Sequence, residues 1–397
     1  MSVIRIPSAS PSTARAINDR LALDLLQREG SLTATQLKTL TGLSRPTVAD
    51  LVERLQDAGL ISIVGEAGAE RRGPNAKLYG IVAERAYLAG LDVRSHGMAV
   101  SVADLLGRTH AEASLPFDLD VDTDVAVERA IALLAATTAK AGATTLHTIA
   151  VGAPGLVDPA TGGLRPAGGL PAWHGKLVVE LRRRLGIPVL LENEVNLAAA
   201  AEQRLGAARD RDTFVLLWLG FGVGAAIVLD GSLRRGASGG AGEIGFLPTL
   251  GPGRLPTSTD CDGGFHTLAG SAAICELARE HGIAAPPADD ADAAEVAVRH
   301  AIETGSEKFL EIVAERIAIG AAAVTAVLDP GCVVLGGEIG RAGGEALAAR
   351  VSRRLAEISP LRTEVRAGTV GGGAVLEGAV LTAMGAAQDA LFTPGSD

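Results

Sequence analysis

The sequence predicts an α/β protein in two parts, a winged helix-turn-helix over residues 1–82 and a larger α/β body over 83–397. Three observations lead there. Capped, turn-separated apolar stripes precede residue 60 and two alternating strands follow them. Further on, the apolar run Phe214 to Leu219 meets the glycines Gly220, Gly222 and Gly224, resumes as Ala225 to Leu229 and turns again at Asp230-Gly231. Finally, the chain carries a net charge of -10, yet its first 82 residues hold ten Lys/Arg against eight Asp/Glu. A weakly basic head on an acidic body suits a small DNA-contacting module carried by a domain with another task.

Composition sets the outer limits. With 397 residues, 47% of them apolar, the chain is long enough for two or three domains and a large core. No apolar run approaches a membrane span, and the start lacks the apolar centre of a signal peptide, so a cytoplasmic protein without membrane insertion is expected. Cys261, Cys275 and Cys332 form no C-x-x-C pair. That argues against disulfides and against a thiolate-rich zinc site.

In the head, Ile17, Leu21 and Leu25 recur on one face of a helix from Ala14 to Arg28. Thr33 and Gln36 have the spacing of a capping box, with Leu32 and Leu37 as its hydrophobic staple. Gly42 suits the inter-helix turn, Ser44 caps the next helix, and Pro46 is tolerated in its first turn. Val48, Leu51, Val52 and Leu55 form the inward stripe, leaving Arg45, Thr47, Ala49, Asp50 and Arg54 outward. In a helix-turn-helix, side chains near the start of this third helix read the major groove, so Ser44, Arg45, Thr47 and Arg54 are the candidate DNA contacts. Strands at Leu60 to Val64 and Lys77 to Ile81 enclose a wing whose Arg71, Arg72 and Lys77 suit phosphate or the minor groove.

The body alternates strands and helices. Tyr87 to Asp92 and Gly97 to Ala103 read as a hairpin, and Asp122 to Ala141 as a helix. Thr148 to Gly152 is a strand entering Gly152-Ala153-Pro154-Gly155-Leu156-Val157-Asp158. An amphipathic helix from Leu177 to Leu185 leads to a strand ending at Glu192-Asn193-Glu194-Val195-Asn196. After Gly239-Gly240-Ala241-Gly242-Glu243-Ile244-Gly245, Thr267 to Arg279 and Ala291 to Leu328 read as helices, Cys332 to Leu335 as a strand, and Ala374 to Leu391 as a last helix.

These motifs together resemble the ROK family of repressors, open reading frames and sugar kinases. The resemblance implies a two-lobed actin-like, sugar-kinase (ribonuclease H-like) body. Lobe one spans about 83–197 plus the C-terminal helix, and lobe two about 198–384. Residues Gly152 to Asp158 resemble the sugar-side loop and Leu191 to Asn196 the Glu-Asn-Asp-x-Asn signature, so Pro154, Gly155, Asn193, Glu194 and Glu243 are the implied ligand contacts. The basic stretch Arg71-Arg72-Gly73-Pro74 is similar to the wing of ROK repressors.

Departures from the kinase pattern bear on activity. Arg94 and Ser95 stand where kinases of the family have two glycines that close on nucleotide phosphates, and Glu194 stands at the position of the aspartate base. An extra methylene displaces that carboxylate from its proton. Phe246 replaces the histidine of zinc-bearing members, Phe265 the last of their cysteines, and Thr267 stands near their final sugar-binding glutamate. A structural zinc needs four ligands, which Cys261 and His266 cannot supply. No metal and no cofactor is therefore expected, and Phe246 and Phe265 are expected to hold that loop by apolar packing. The implied function is a sugar-responsive regulator acting as a repressor, without catalytic residues. Its implied partners are an inverted-repeat double-stranded DNA operator, a sugar or sugar-phosphate effector, and copies of itself in a homodimer or dimer of dimers. The alternatives are an active sugar kinase with a regulatory head, or a regulator whose body docks a transport protein.

Overall fold

The computed structural model describes residues 11–67, 76–118, 120–165, 170–249, 255–257, 260–284 and 292–392. The head comprises α1 (Pro11–Glu29), β1 (Leu32–Thr33), α2 (Ala34–Thr41), α3 (Arg45–Asp57), β2 (Ile61–Ala67) and β3 (Ala76–Ile81), its sheet running β1-β3-β2. Local chemistry sets its boundaries. The Thr33 side chain accepts from the Gln36 amide while Gln36 reaches back to the Thr33 amide, and Gly42 closes α2 at φ 71°. Ser44 caps α3, whose buried residues are Val48, Leu51, Val52 and Leu55, the stripe read from the sequence.

One face was misread. Ile17 and Leu21 of α1 are exposed, and its buried residues are Asp19, Ala22, Leu23, Leu25 and Leu26. The helix lies between the other head helices and the C-terminal helix of the body, so two neighbours, not one, decide which side is covered.

The body repeats one sheet topology. Its first sheet contains β4 (Tyr87–Arg94), β5 (Gly97–Asp104), β6 (Thr109–Pro116), β7 (Thr148–Ala153) and β8 (Val189–Asn193), in the order β6-β5-β4-β7-β8. The second contains β9 (Phe214–Leu219), β10 (Val223–Leu229), β11 (Ser232–Leu233), β12 (Cys332–Gly336) and β13 (Glu364–Ala367), in the order β11-β10-β9-β12-β13. In each sheet two antiparallel pairings flank the first strand on one side and two parallel pairings extend it on the other. The helices are α4 (Thr123–Lys140), α5 (Trp173–Leu185), α6 (Glu194–Leu205), α7 (His266–Ala269), α8 (Ser271–Glu280), α9 (Ala293–Thr304), α10 (Glu307–Leu328), α11 (Gly337–Ile358) and α12 (Ala374–Phe392). None of the described helices is long and apolar enough to cross a membrane.

Helices α4 and α5 cover the outer face of the first sheet, and α8 to α11 the outer face of the second. The inner faces meet around α6 and α12 in a third apolar cluster. These two helices touch backbone to backbone, because a Cβ at Gly378 would lie 2.0 Å from the Leu197 carbonyl oxygen. Three details differ from the sequence reading. The helix expected from Thr267 to Arg279 is two, α7 and α8, parted at the extended Gly270. The expected helix from Ala291 to Leu328 is two, parted at Gly305 with φ 67°. Strands β6 and β13 were not anticipated; each lies at a sheet edge, where the apolar signal is weakest.

Candidate ligand cleft and nucleic-acid face

Strand β8 ends where α6 begins, and this junction fixes the first wall of the cleft. The Asn193 side chain caps α6 by accepting from the Val195 amide at 2.8 Å and donates to the Gly155 carbonyl at 3.1 Å. It therefore ties the Pro154-Gly155 turn to the helix, with one amide hydrogen left for a ligand. Glu192, which the sequence reading passed over, is the organiser behind it. Its carboxylate accepts from the Asn193 amide at 2.9 Å, from Asn196 at 2.8 Å and from Arg235 at 2.6 Å.

The loop of Glu243 forms the facing wall, and its glycines explain its sequence. A Cβ at Gly239 would lie 2.0 Å from the Val157 carbonyl oxygen, and one at Gly242 1.9 Å from that of Ala225, both at positive φ. Any side chain would push this loop off the turn of lobe one or off β10 of lobe two. Glu243 is thus held next to that turn with its side chain reaching solvent, and partial desolvation raises its pKa. Glu194, the first residue of α6, lies deeper: its Oε2 is enclosed and has no hydrogen-bond partner. Burial pushes its pKa up to about 8, with Glu243, Asp92 and Glu338 adding repulsion against the lowering effect of its own backbone amide.

The floor differs from an open phosphate loop. Arg94, at the end of β4, pairs with the buried Asp92 at 2.7 Å, donates to the Gly372 carbonyl at 3.3 Å and stands 4.0 Å from Glu338. Glu338 comes from the N-terminus of α11, in the opposite lobe, and its carboxylate lies so close to the glycine hairpin that a Cβ at Gly220 would be 2.0 Å from its Oε2. Burial raises its pKa as well, despite the nearby Arg94. At the tip of that hairpin Phe221 is 62% exposed. Glu338 was missed as a site residue because only the packing of α11 against β9 shows where it stands.

Beside Glu243, the expected pairing of Phe246 with Phe265 is half corrected. Phe265 is fully buried, its ring so close to Gly320 that a Cβ there would lie 2.4 Å away, whereas Phe246 is exposed. Gly245 presses on β10 and turns the Phe246 side chain outward. Thr267 donates its hydroxyl to the Gly264 carbonyl, Cys261 is half-buried, and burial lowers the pKa of His266.

In the head, Arg45 is exposed at the start of α3. The Ser44 hydroxyl caps that helix and lies 2.8 Å from the Thr47 hydroxyl. Arg54 is turned aside, with one end 2.6 Å from Asp19 of α1 and the other on Asp50. It holds α3 to α1. Lys77 is exposed on β3 opposite Glu66, and Arg71 and Arg72 lie outside the described residues.

The two halves match known families separately. The ROK family profile matches residues 88–385. The chain belongs to the ROK family. A MarR family profile matches residues 17–72, which places a winged helix ahead of the ROK body. Among curated ROK relatives, a beta-glucoside kinase of Listeria monocytogenes is 30% identical over 194 residues, 48% of this chain and 64% of its own length. A xylose repressor of Caldicellulosiruptor bescii is 24% identical over 233 residues, 58% of each chain. The chain thus spans less than two thirds of either relative. A crystal structure described as a ROK family transcriptional regulator, homolog of E. coli MLC protein, superposes with a TM-score of 0.77 over 96% of this chain and 98% of its own, at 21% identity. That likeness establishes a shared ROK fold running through both head and body.

Proposed function

We propose that this ROK protein is a sugar-responsive DNA-binding transcriptional regulator, acting as a repressor, whose kinase-like body senses a carbohydrate without phosphorylating it. The observation that carries the reading is Arg94. Its guanidinium, bound to Asp92 and to the Gly372 carbonyl and facing Glu338, stands where kinases of the family have glycine and takes space that a nucleotide's phosphates need. Pro154, Gly155, Asn193, Glu194 and Glu243 form the carbohydrate cleft. Ser44, Arg45, Thr47, Lys77, Arg71 and Arg72 form the DNA face, paired in a dimer over an inverted repeat. The effector acts by binding one arrangement of the lobes better than another.

A second reading, an active sugar kinase with a regulatory head, draws on Glu194 and on the kinase relative. A carboxyl with a pKa of about 8 sits close to the operating pH of a general base. One experiment separates the two. The full chain is incubated with ATP and a hexose panel; the regulator reading expects no sustained ADP release, and sugar-dependent turnover abolished by Glu194→Gln would establish the kinase. In parallel, operator affinity is measured against salt. Lys77→Ala is expected to weaken binding for all sequences and to reduce the log-log salt slope by about one unit.

A further inference from the structure

We propose that Arg235 is a positioning residue of the cleft: through Glu192, the loop that carries Glu243 holds the Asn193 wall in place. The inference rests on the cleft being the ligand site and adds how its two walls depend on each other.

The loop 234–243 is built as a strap. Both of its ends are bonded to lobe two, where the Arg234 amide donates to the Ile227 carbonyl at 2.8 Å and the Gly242 carbonyl accepts from the Ala225 amide at 2.8 Å. The Ala241 amide closes the strap on itself by donating to the Arg235 carbonyl at 3.1 Å. Its middle lies on lobe one, with Gly239 against the Val157 carbonyl. Arg235 is the second fastener to that lobe. Its Nε donates to Glu192 Oε2 at 2.6 Å, whereas Arg94 and Glu338, across the floor of the cleft, stand 4.0 Å apart.

The Glu192 side chain is 9% exposed, so its charge needs a partner. The Asn193 amide and the Asn196 side chain donate to its Oε1, and both are neutral. The guanidinium supplies the positive charge. With it in place the carboxylate holds Asn193 and Asn196, and Asn193 in turn caps α6 and binds the Gly155 carbonyl. With the strap lifted, the carboxylate must take up water or a proton, and either competes with those two donors for its oxygens. The junction of β8 and α6 then loosens together with the Pro154-Gly155 turn. Arg235 can leave at little cost, because its own side chain is 55% exposed. A ligand that touches both walls favours the arrangement in which this bond is made.

Amide hydrogen exchange of the full chain at pH 7, without sugar, tests the role of Arg235. Arg235→Ala is expected to speed exchange about tenfold or more in both walls at once, 234–243 on one side and 153–157 with 192–196 on the other, while α8 to α10 keep their rates. Arg235→Lys keeps the charge and is expected to restore most of the protection. Glu192→Gln keeps a carbonyl oxygen for Asn193 and Asn196 but offers Arg235 no charge, so it is expected to free 234–243 alone. Faster exchange confined to 234–243 in Arg235→Ala overturns the proposal, as does a rise that includes α8 to α10 or one that lysine leaves uncorrected. If the alanine variant does not fold, Glu192→Gln decides, and unchanged exchange in 234–243 overturns the proposal. Thermal shifts with D-glucose, D-xylose and N-acetyl-D-glucosamine then address the ligand. A sugar that shifts the parent is expected to bind about tenfold more weakly to Arg235→Ala, and equal binding overturns the proposal. If no sugar shifts the parent, the carbohydrate reading of the cleft fails while the exchange result for Arg235 stands.

Discussion

At Glu194 burial outweighs two influences that ordinarily keep a carboxylate ionised, a helix N-terminus and its own backbone amide. The folded-state pKa of about 8 lies above the ordinary value of 4.5, so the native state keeps a proton that the unfolded chain releases over that interval. Its contribution to stability is whole below the unfolded pKa and drains away as pH rises through the folded one. Glu194→Gln, which cannot ionise, is expected to melt at the same temperature as the parent near pH 4.5 and a few degrees higher at pH 8.5, read from melting curves across pH. Equal melting at both would place Glu194 in water. The sequence showed that a glutamate had taken an aspartate's place. It could not show what surrounds that glutamate, because Asp92, Glu243 and Glu338 come from three distant segments. Arg54 carries the same lesson: its outward position on α3 was legible, its partner Asp19 on α1 was not.

Elements were legible where their ends are made locally. The α2 capping box, the Ser44 cap and the α3 stripe depend on residues within four positions of one another, and each stands as read. The helix expected over 291–328 is divided at Gly305, which takes positive φ and is followed by Ser306 at the N-cap of the next helix. Edge strand β6 alternates polar and small residues, Thr109 to Pro116, with too little apolar contrast to announce itself. In the head, Arg54 connects two helices, and Asp19 beneath it is 5% exposed. Removing the guanidinium leaves a buried carboxylate uncompensated. Because Arg54 itself is partly solvated, Arg54→Ala is expected to cost about 2 kcal/mol, below the range for fully buried pairs. Denaturant melts of the full chain measure it, and an unchanged midpoint would mean that Asp19 finds another donor.

The whole molecule is organised by the pair α6 and α12, and the head is fastened to α12. Arg20 of α1 pairs with Asp389 at 2.7 Å and lies over the Phe392 ring at 5.7 Å. Gln388 donates to Gln27 at 3.1 Å and to the Leu105 carbonyl at 2.9 Å. One apolar cluster continues from Leu37 and Leu51 of the head through Leu105 and Met384 to Phe214 and Val334 of the far sheet. The helix that starts at Glu194 is thus connected to α3 of the head through two packed helices, α12 and α1. If this layer transmits the effector signal, Arg20→Ala is expected to leave effector binding near its starting value while reducing the effector's influence on operator affinity several-fold. Titrating operator with and without effector measures that influence, and an unaltered ratio would direct the search to another route. That apolar cluster runs across the boundary expected near residue 82 from composition and turn signals. Leu105 and Met384 would face water if residues 1–82 were cut away.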